Sequence, residues 1–360
     1  MKNITLLVLV TSLFLSSLAF ACSDFQLKAK DGSIVIGRSM EFPEDLHSRI
    51  WVVPRGEKRI SENDKGVKGI SWTAKYGYLA VDAFNEQYAV VDGFNEKGLA
   101  FDALMFTGAK YETAVPNKFV TNADFGAWIL GNFETVDQVK KALAKTKVAD
   151  LPIKEMGGSF GTHVALHDAT GKNLVIEFIN GEKKVYDNPL GVMTNRPGFD
   201  WQISNLRNYV NLNARDASPR KINGVMVEPT GVGSGLHGLP GDWTPPSRFV
   251  KLAFGVDSAL PTKNAAEAVN LAEHLLNTVD IPKGAIKEPT AIPFKEMYGY
   301  AQWVVIKDLT NKVLYYKTYE NTAWKSVDLK KFDLSPKAPR KAITMADKEL
   351  KVMDVSNKLK

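Results

Sequence analysis

Cys22 is the only cysteine in the chain of 360 residues, and the residues before it are arranged so that it can become a chain start. Met1-Lys2-Asn3 is short and positive, and Ile4 to Leu18 is an apolar run softened by Thr and Ser. Ala19-Phe20-Ala21 has the small-x-small pattern of a signal-peptidase site. Cleavage after Ala21 would leave Cys22 with a thiol nucleophile and a free α-amino group, whose pKa near roughly 7.7–8 suits a general base at neutral pH. A disulfide within the chain is excluded, since no partner thiol exists. The competing reading is a lipid anchor on Cys22. That route favours Leu three residues before the cysteine and a small residue two before it, where this chain has Ala19 and Phe20.

Four further residues have the right chemistry. Arg38, 16 residues on, could lie beside Cys22 and favour its thiolate, or could be a surface arginine. Glu41 could hold the α-amino group or be a solvated carboxylate. Asn195, in Val192-Met193-Thr194-Asn195-Arg196-Pro197, could donate to a developing oxyanion or serve its turn. Arg248, in Pro245-Pro246-Ser247-Arg248-Phe249, could buttress the site or sit in a salt bridge. The histidines offer less. His163 and His167 fall on one strand face about 13 Å apart, too far to ligate one metal together. A Cys/His pair using His237 is the remaining papain-like alternative. No Gly-rich phosphate loop and no Cys/His metal spacing occurs, so neither a cofactor nor a metal is expected.

The elements that must position these groups read as α+β. Phe25–Ala29 alternates apolar and polar, Asp31-Gly32 makes a turn, and Ser33–Gly37 resumes in strand formers. This hairpin at the new N-terminus brings its outer ends, Cys22 and Arg38, together. Arg49 to Pro54, Ser71 to Met105, Thr162 to Asp187 and the pair Trp303–Ile306 with Lys312–Thr318 add more strand. Thr135 with Gln138 and Asn264 with Glu267 are helix starts, each followed by one apolar stripe. Such helices and strands suggest sheets covered by helices on their outer faces.

Composition is ordinary, at 44% hydrophobic and 24% charged. The net charge of +6 lies at the two ends of the chain: ten basic and five acidic residues lie in 325–360, Lys2 in the leader adds one, and the body 22–324 carries 35 of each sign. A neutral body argues against nucleic acid as partner. No second apolar stretch is long enough to span a membrane. The expected organisation is a signal peptide over 1–21, one domain over 22–333, and a basic tail over 334–360, mobile or loosely docked after Ser335-Pro336.

Several blocks together resemble the choloylglycine hydrolase family, which includes bile salt hydrolases and penicillin V acylases. They are Cys22-Ser23-Asp24-Phe25, Gly37-Arg38-Ser39-Met40-Glu41-Phe42, Val53-Pro54-Arg55-Gly56, Gly93-Phe94-Asn95-Glu96-Lys97-Gly98-Leu99, Thr194–Trp201 and Gly238–Phe249; they run in family order, and the resemblance covers roughly residues 22–333. The resemblance implies an N-terminal-nucleophile hydrolase with a four-layer αββα fold, two stacked antiparallel sheets between helical layers, acting on linear non-peptide amides. It implies Cys22 as nucleophile, Arg38 beside it, Asn195 at the oxyanion and Arg248 as the site arginine. Glu41 stands where the family most often has Asp, and Met105 where many members have Asn or Tyr in contact with substrate. A thioether cannot supply their hydrogen bond, so the oxyanion would depend on Asn195 and a backbone N–H. The Asn205–Pro246 stretch resembles an extension that packs some relatives into tetramers, so a homotetramer is expected, exported to the periplasm or beyond. The acyl group is expected to be bulky and apolar. Alternatives are an N-acyl homoserine lactone acylase and a catalytically silent, lipid-anchored binding protein.

Overall fold

A computed structural model describes residues 21–152, 158–288, 296–347, 349–350 and 352–359. The leader read over 1–21 lies outside these residues except for Ala21. In chain order the first strands are β1 (Cys22–Lys28), β2 (Ile34–Phe42), β3 (Arg49–Val53), β4 (Lys58–Glu62), β5 (Lys68–Thr73), β6 (Tyr78–Asp82), β7 (Val90–Asn95), β8 (Ala100–Met105) and β9 (Phe119–Thr121). Helices α1 (Asn122–Asn132) and α2 (Val136–Leu143) follow. The middle carries β10 (Lys147–Ala149), β11 (Thr162–His167), β12 (Asn173–Ile179), β13 (Glu182–Asp187), β14 (Val192–Met193), α3 (Phe199–Asn205), β15 (Arg220–Ile222) and β16 (Val225–Val227). The rest is α4 (Pro245–Ser258), α5 (Ala265–Asn277), β17 (Ile286–Glu288), β18 (Met297–Asp308), β19 (Val313–Thr318), β20 (Lys325–Asp328) and β21 (Lys341–Thr344).

Two antiparallel sheets dominate. One runs β14-β1-β2-β18-β19-β20, with β17 also paired to β18, and the other runs β13-β12-β11-β8-β7-β6-β3-β21. Apolar side chains on the facing surfaces, among them Ile36, Leu104, Ala165 and Val305, form a core shared by both sheets and by α4 and α5. A second core, including Phe101, Val164 and Leu166, joins the other face of the second sheet to α1 and α2 through Phe125, Leu130, Val136 and Val139. The order is therefore helices, sheet, sheet, helices: the αββα arrangement that the resemblance implied.

The local chemistry explains the elements. Thr135 caps α2 by accepting from the Gln138 N–H at 3.3 Å, and Asn264 caps α5 by accepting from Glu267 at 3.0 Å. Gly32 takes φ 89° in the β1–β2 turn, a conformation open to glycine. Gly37 leaves room for the Phe25 ring, which an added Cβ would meet at 2.4 Å.

The end of the chain differs from the mobile or loosely docked tail that its Pro and Lys content suggested. β21 pairs antiparallel with β3 along Lys341↔Val52 to Thr344↔Arg49 and becomes the edge of the second sheet. The following Met345 is buried, and the Arg340 guanidinium stacks 4.7 Å from both Trp51 and Tyr88.

Candidate active site

β1 and β2 pair in the register Cys22↔Met40 and Asp24↔Arg38, so Cys22, Asp24 and Arg38 project from one face of the first sheet toward the second. Arg38 is thus a diagonal neighbour of Cys22, as the hairpin reading expected, and it is buried rather than on the surface. The Cys22 sulfur lies 3.7 Å from the Met40 sulfur. Burial pushes the Cys22 thiol pKa up. The Arg38 charge pulls it down, the Glu41 carboxylate pushes it up, and backbone N–H groups of Met105 and Glu41 pull it down.

Ala21 continues the β1 pairing, its carbonyl accepting from the Glu41 N–H at 3.0 Å, so the bond preceding Cys22 lies alongside β2. The Cys22 N–H donates to Asn195 Oδ1. The Asn195 amide is oriented by its partners: Oδ1 also accepts from Arg248 Nη2 at 2.8 Å, and Nδ2 donates to the Met105 carbonyl at 2.8 Å. Asn195 follows β14, which β1 holds through Asp24↔Met193. His163 contacts the preceding Thr194 carbonyl through Nε2 at 2.7 Å.

Arg248 sits in the first turn of α4, where Pro245 and Pro246 fit the helix start and Asp242 accepts from Ser247 Oγ at 2.7 Å. It is fully buried. Nη1 donates to the Cys22 carbonyl and, at 2.7 Å, to Ser23 Oγ, while Nε donates to the Trp243 carbonyl at 2.9 Å. One guanidinium thereby ties β1, Asn195 and α4 together.

Glu41 is buried, not solvated, and neither of its carboxylate oxygens meets a hydrogen-bond partner among the described residues. Burial raises its pKa to about 7 against the pull of Arg248, the nearby Ser39 hydroxyl and Arg38, with Asp280 adding to the rise. Met105 is half-buried and reaches the site through its backbone, which accounts for a thioether at this position.

The sequence reading missed what stands behind Arg38. Arg38 Nη1 lies 3.3 Å from Asp92 Oδ2, Nη2 donates to the Ala103 carbonyl, Nε is 3.8 Å from Asp102 Oδ1, and the guanidinium stacks 5.0 Å from the Trp303 ring. Lys307 Nζ donates to Asp92 Oδ2 at 2.9 Å and to Asp102 Oδ1. His167 Nε2 meets Asp24 Oδ1 at 2.7 Å, with Asn173 Oδ1 2.7 Å from its other ring nitrogen. Burial pushes Asp92 up to about 7, Lys307 and Arg38 opposing the rise and Asp102 adding to it. Burial disfavours a charged His167, yet Asp24, Asp102 and Asn173 together raise its pKa above the usual histidine value.

His163 and His167 have separate partners, Glu177 at 3.2 Å and Asp24. Asp24, Asp102 and His167 present one donor atom each within 4.8 Å of one another, a spacing that suits a metal ion. Here the ammonium of Lys307 already binds Asp102, and Arg38 is the cross-strand partner of Asp24, so the protein supplies positive charge of its own.

Against known proteins, the family model for linear amide C–N hydrolases of the choloylglycine hydrolase family matches residues 22–348, running past the expected domain end and through β21. A bile salt hydrolase/transferase of Clostridium perfringens is 33% identical over 319 residues, covering 87% of this chain and 94% of that protein. A penicillin V acylase of Pectobacterium atrosepticum is 27% identical over 326 residues, covering 84% of this chain and 79% of that one. The crystal structure of a cysteine-to-alanine mutant of conjugated bile acid hydrolase from Clostridium perfringens superposes with a TM-score of 0.82 at 31% identity, over 93% of this chain and 100% of that chain. Penicillin V acylase from Agrobacterium tumefaciens, at 22% identity and a TM-score of 0.75 over 92% of this chain and 94% of that one, shares the fold. This chain belongs to the choloylglycine hydrolase family and is a hydrolase of linear amide C–N bonds.

Proposed function

We propose that the chain is exported, cut after Ala21, and acts through Cys22 as an N-terminal nucleophile that releases a bulky apolar acid from its amide. The observation that carries this reading is the setting of the Cys22 nitrogen. It is held by Asn195 Oδ1, and the Glu41 carboxylate, on the neighbouring strand β2, is buried with neither oxygen in a well-formed hydrogen bond among the described residues, only the charges of Arg248 and Arg38 and the Ser39 hydroxyl acting on it. A free amine there would gain an anion, and that anion would gain a cation.

The steps follow from the geometry. The α-amino group takes the thiol proton, and the Cys22 sulfur attacks the substrate carbonyl carbon. The oxyanion is met by the Asn195 Nδ2–H and the Met105 N–H, both fixed before substrate arrives. The C–N bond breaks as the ammonium returns its proton to the departing amine. Water, its proton taken by the same amine, then opens the thioester and releases the acid and the thiol.

An aromatic cluster supports the choice of acyl group. Phe42 follows Glu41 on β2, and its ring lies 5.4 Å from Phe84 and 6.3 Å from Phe160. Phe84, Val91, Ala103, Leu151 and Phe160 line an apolar pocket, and the Ala103 carbonyl also holds Arg38. The relatives are named for bile salts and penicillin V, so conjugated bile acids and phenoxyacetyl amides are the leading substrates. Exposed apolar side chains around β15 and β16, including Val210, Val225, Met226 and Val232, support an oligomer, for which we propose a tetramer.

One panel tests the activity: glycine- and taurine-conjugated bile acids, penicillin V and long-chain N-acyl homoserine lactones, with intact mass of the protein. Amide turnover by a chain starting at unmodified Cys22 supports the reading. A lipid-modified Cys22, or no turnover across the panel, overturns it. Light scattering tests the tetramer.

A further inference from the structure

Between the two sheets six ionisable side chains form one linked group, three from each sheet. Asp24, Arg38 and Lys307 come from β1, β2 and β18; Asp92, Asp102 and His167 come from β7, β8 and β11. All six are buried. An ionic layer here, in place of the apolar contacts around it, is costly unless every charge is paired. The pairing is uneven. Asp92 Oδ2 is shared by Arg38 and Lys307, Asp102 Oδ1 is bound by Lys307 and only approached by Arg38, and Arg38 Nε has no hydrogen-bond partner among the described residues. Lys307 thus takes up two carboxylates that would otherwise both turn on Arg38.

We propose that Lys307 is a positioning residue for the hydrolytic site: by occupying Asp92 and Asp102 it leaves the Arg38 guanidinium available to the Cys22 sulfur. Lys307 touches no reacting atom. It acts from β18, across Arg38, on a thiol two strands away. Without the ammonium, Arg38 is drawn toward the carboxylates and its effect on the thiol weakens. His167 engages Asp24 from the second sheet through Nε2.

The inference rests on Cys22 as the reacting group, and the test separates the two. Because Cys22 is the only cysteine, the rate of alkylation by iodoacetamide against pH reports this thiol alone and needs no substrate. An unreactive thiol in the parent would sink the nucleophile assignment and the proposal with it. With a reactive parent, Lys307→Met is expected to move the alkylation midpoint to higher pH by about half a unit or more, which is about threefold slower labelling at a fixed pH below the midpoint. The decisive arm repeats the substitution in an Arg38→Leu background. There it is expected to change nothing, since the residue through which Lys307 acts is gone. A shift that persists without Arg38 would mean that Lys307 acts by its own field, and an unshifted midpoint with only a lowered Tm would mean that the layer is structural; either result overturns the proposal. Lys307→Gln, which keeps a donor for the carboxylates, runs through the same cycle as the milder variant.

Discussion

Arg248 Nη2 and Asn195 Oδ1 are joined by a 2.8 Å hydrogen bond, and this contact decides which way the Asn195 amide points. With Oδ1 occupied by Arg248 and the Cys22 N–H, the amide nitrogen must face the Met105 carbonyl and the proposed oxyanion position. Asn195→Ala is therefore expected to lower kcat by about 10²–10³ with a smaller change in KM, as for removal of one oxyanion donor. Arg248→Lys, which keeps the charge but loses the fork, should also lower kcat. Steady-state kinetics on the best substrate of the panel checks both, and an Arg248→Lys variant at the parental rate would deny the amide's dependence on the guanidinium.

The amine and the thiol are expected to be needed on the same residue. Cys22→Ala should abolish turnover with Tm nearly unchanged, because the substitution removes one sulfur atom and leaves the β1–β2 backbone pairing in place. A Gly placed between Ala21 and Cys22, with cleavage still after Ala21, should cripple turnover although the sulfur remains. Rates equal to the parent in that variant would assign the base to another group.

Glu41 would link the proposed processing to stability. A carboxyl raised from 4.5 to about 7 in the folded chain favours folding most when protonated. Its contribution is complete below the unfolded carboxyl pKa and is lost as pH rises through about 7, on the order of 3 kcal/mol in all. An uncut chain should lose stability between about pH 5 and 8, and Glu41→Gln should remove most of that loss. The cut chain, with an ammonium near Glu41, should lose less. Urea midpoints across pH for cut, uncut and Glu41→Gln proteins measure this; equal slopes in all three would refute it.

His167 predicts a second slope of the same sign. Its pKa is raised in the fold, so its contribution is full below the unfolded histidine value of about 6.5 and disappears as pH climbs through the higher folded value. His167→Gln should flatten the stability curve in that window and leave Glu41's contribution in place. An unchanged curve would mean that the Asp24 contact does not hold a proton on His167.

Ending the chain at Arg340 removes β21 and uncovers the β3 edge. An unpaired edge beside the buried Ile50 and Val52 is expected to lower Tm and promote self-association. Light scattering and thermal melts of the shortened protein check it; a monodisperse protein of parental Tm would make the strand dispensable.

The N-terminal hairpin, the capped helices α2 and α5, and the β18–β19 pair were legible because each is set by residues close in sequence: a Gly turn, a capping side chain, an apolar period. Helix α1 was not. It is buried nearly all round, with Gly126 and Gly131 in place of polar faces, so it lacks the stripe that marks a helix. Helix α4 begins on Pro245-Pro246, which reads as a break until the helix start behind it is seen. Cys22 and Arg38 stood out because they share a hairpin. Lys307 and Asp92 did not, since their pairing crosses 215 residues and two sheets. The tail was misjudged because Pro and Lys suggest a loose end, and an edge strand tolerates both.

The strand beside β2 is β18, which ends at Asp308 of a 360-residue chain. Every ribosome making this protein therefore completes Cys22 and Arg38 long before it supplies the neighbour that encloses them. Sheets closed by such distant pairings form slowly. A product that stops before β18 carries Cys22 without that neighbour, so the proposed site can close only after most of the chain has been made.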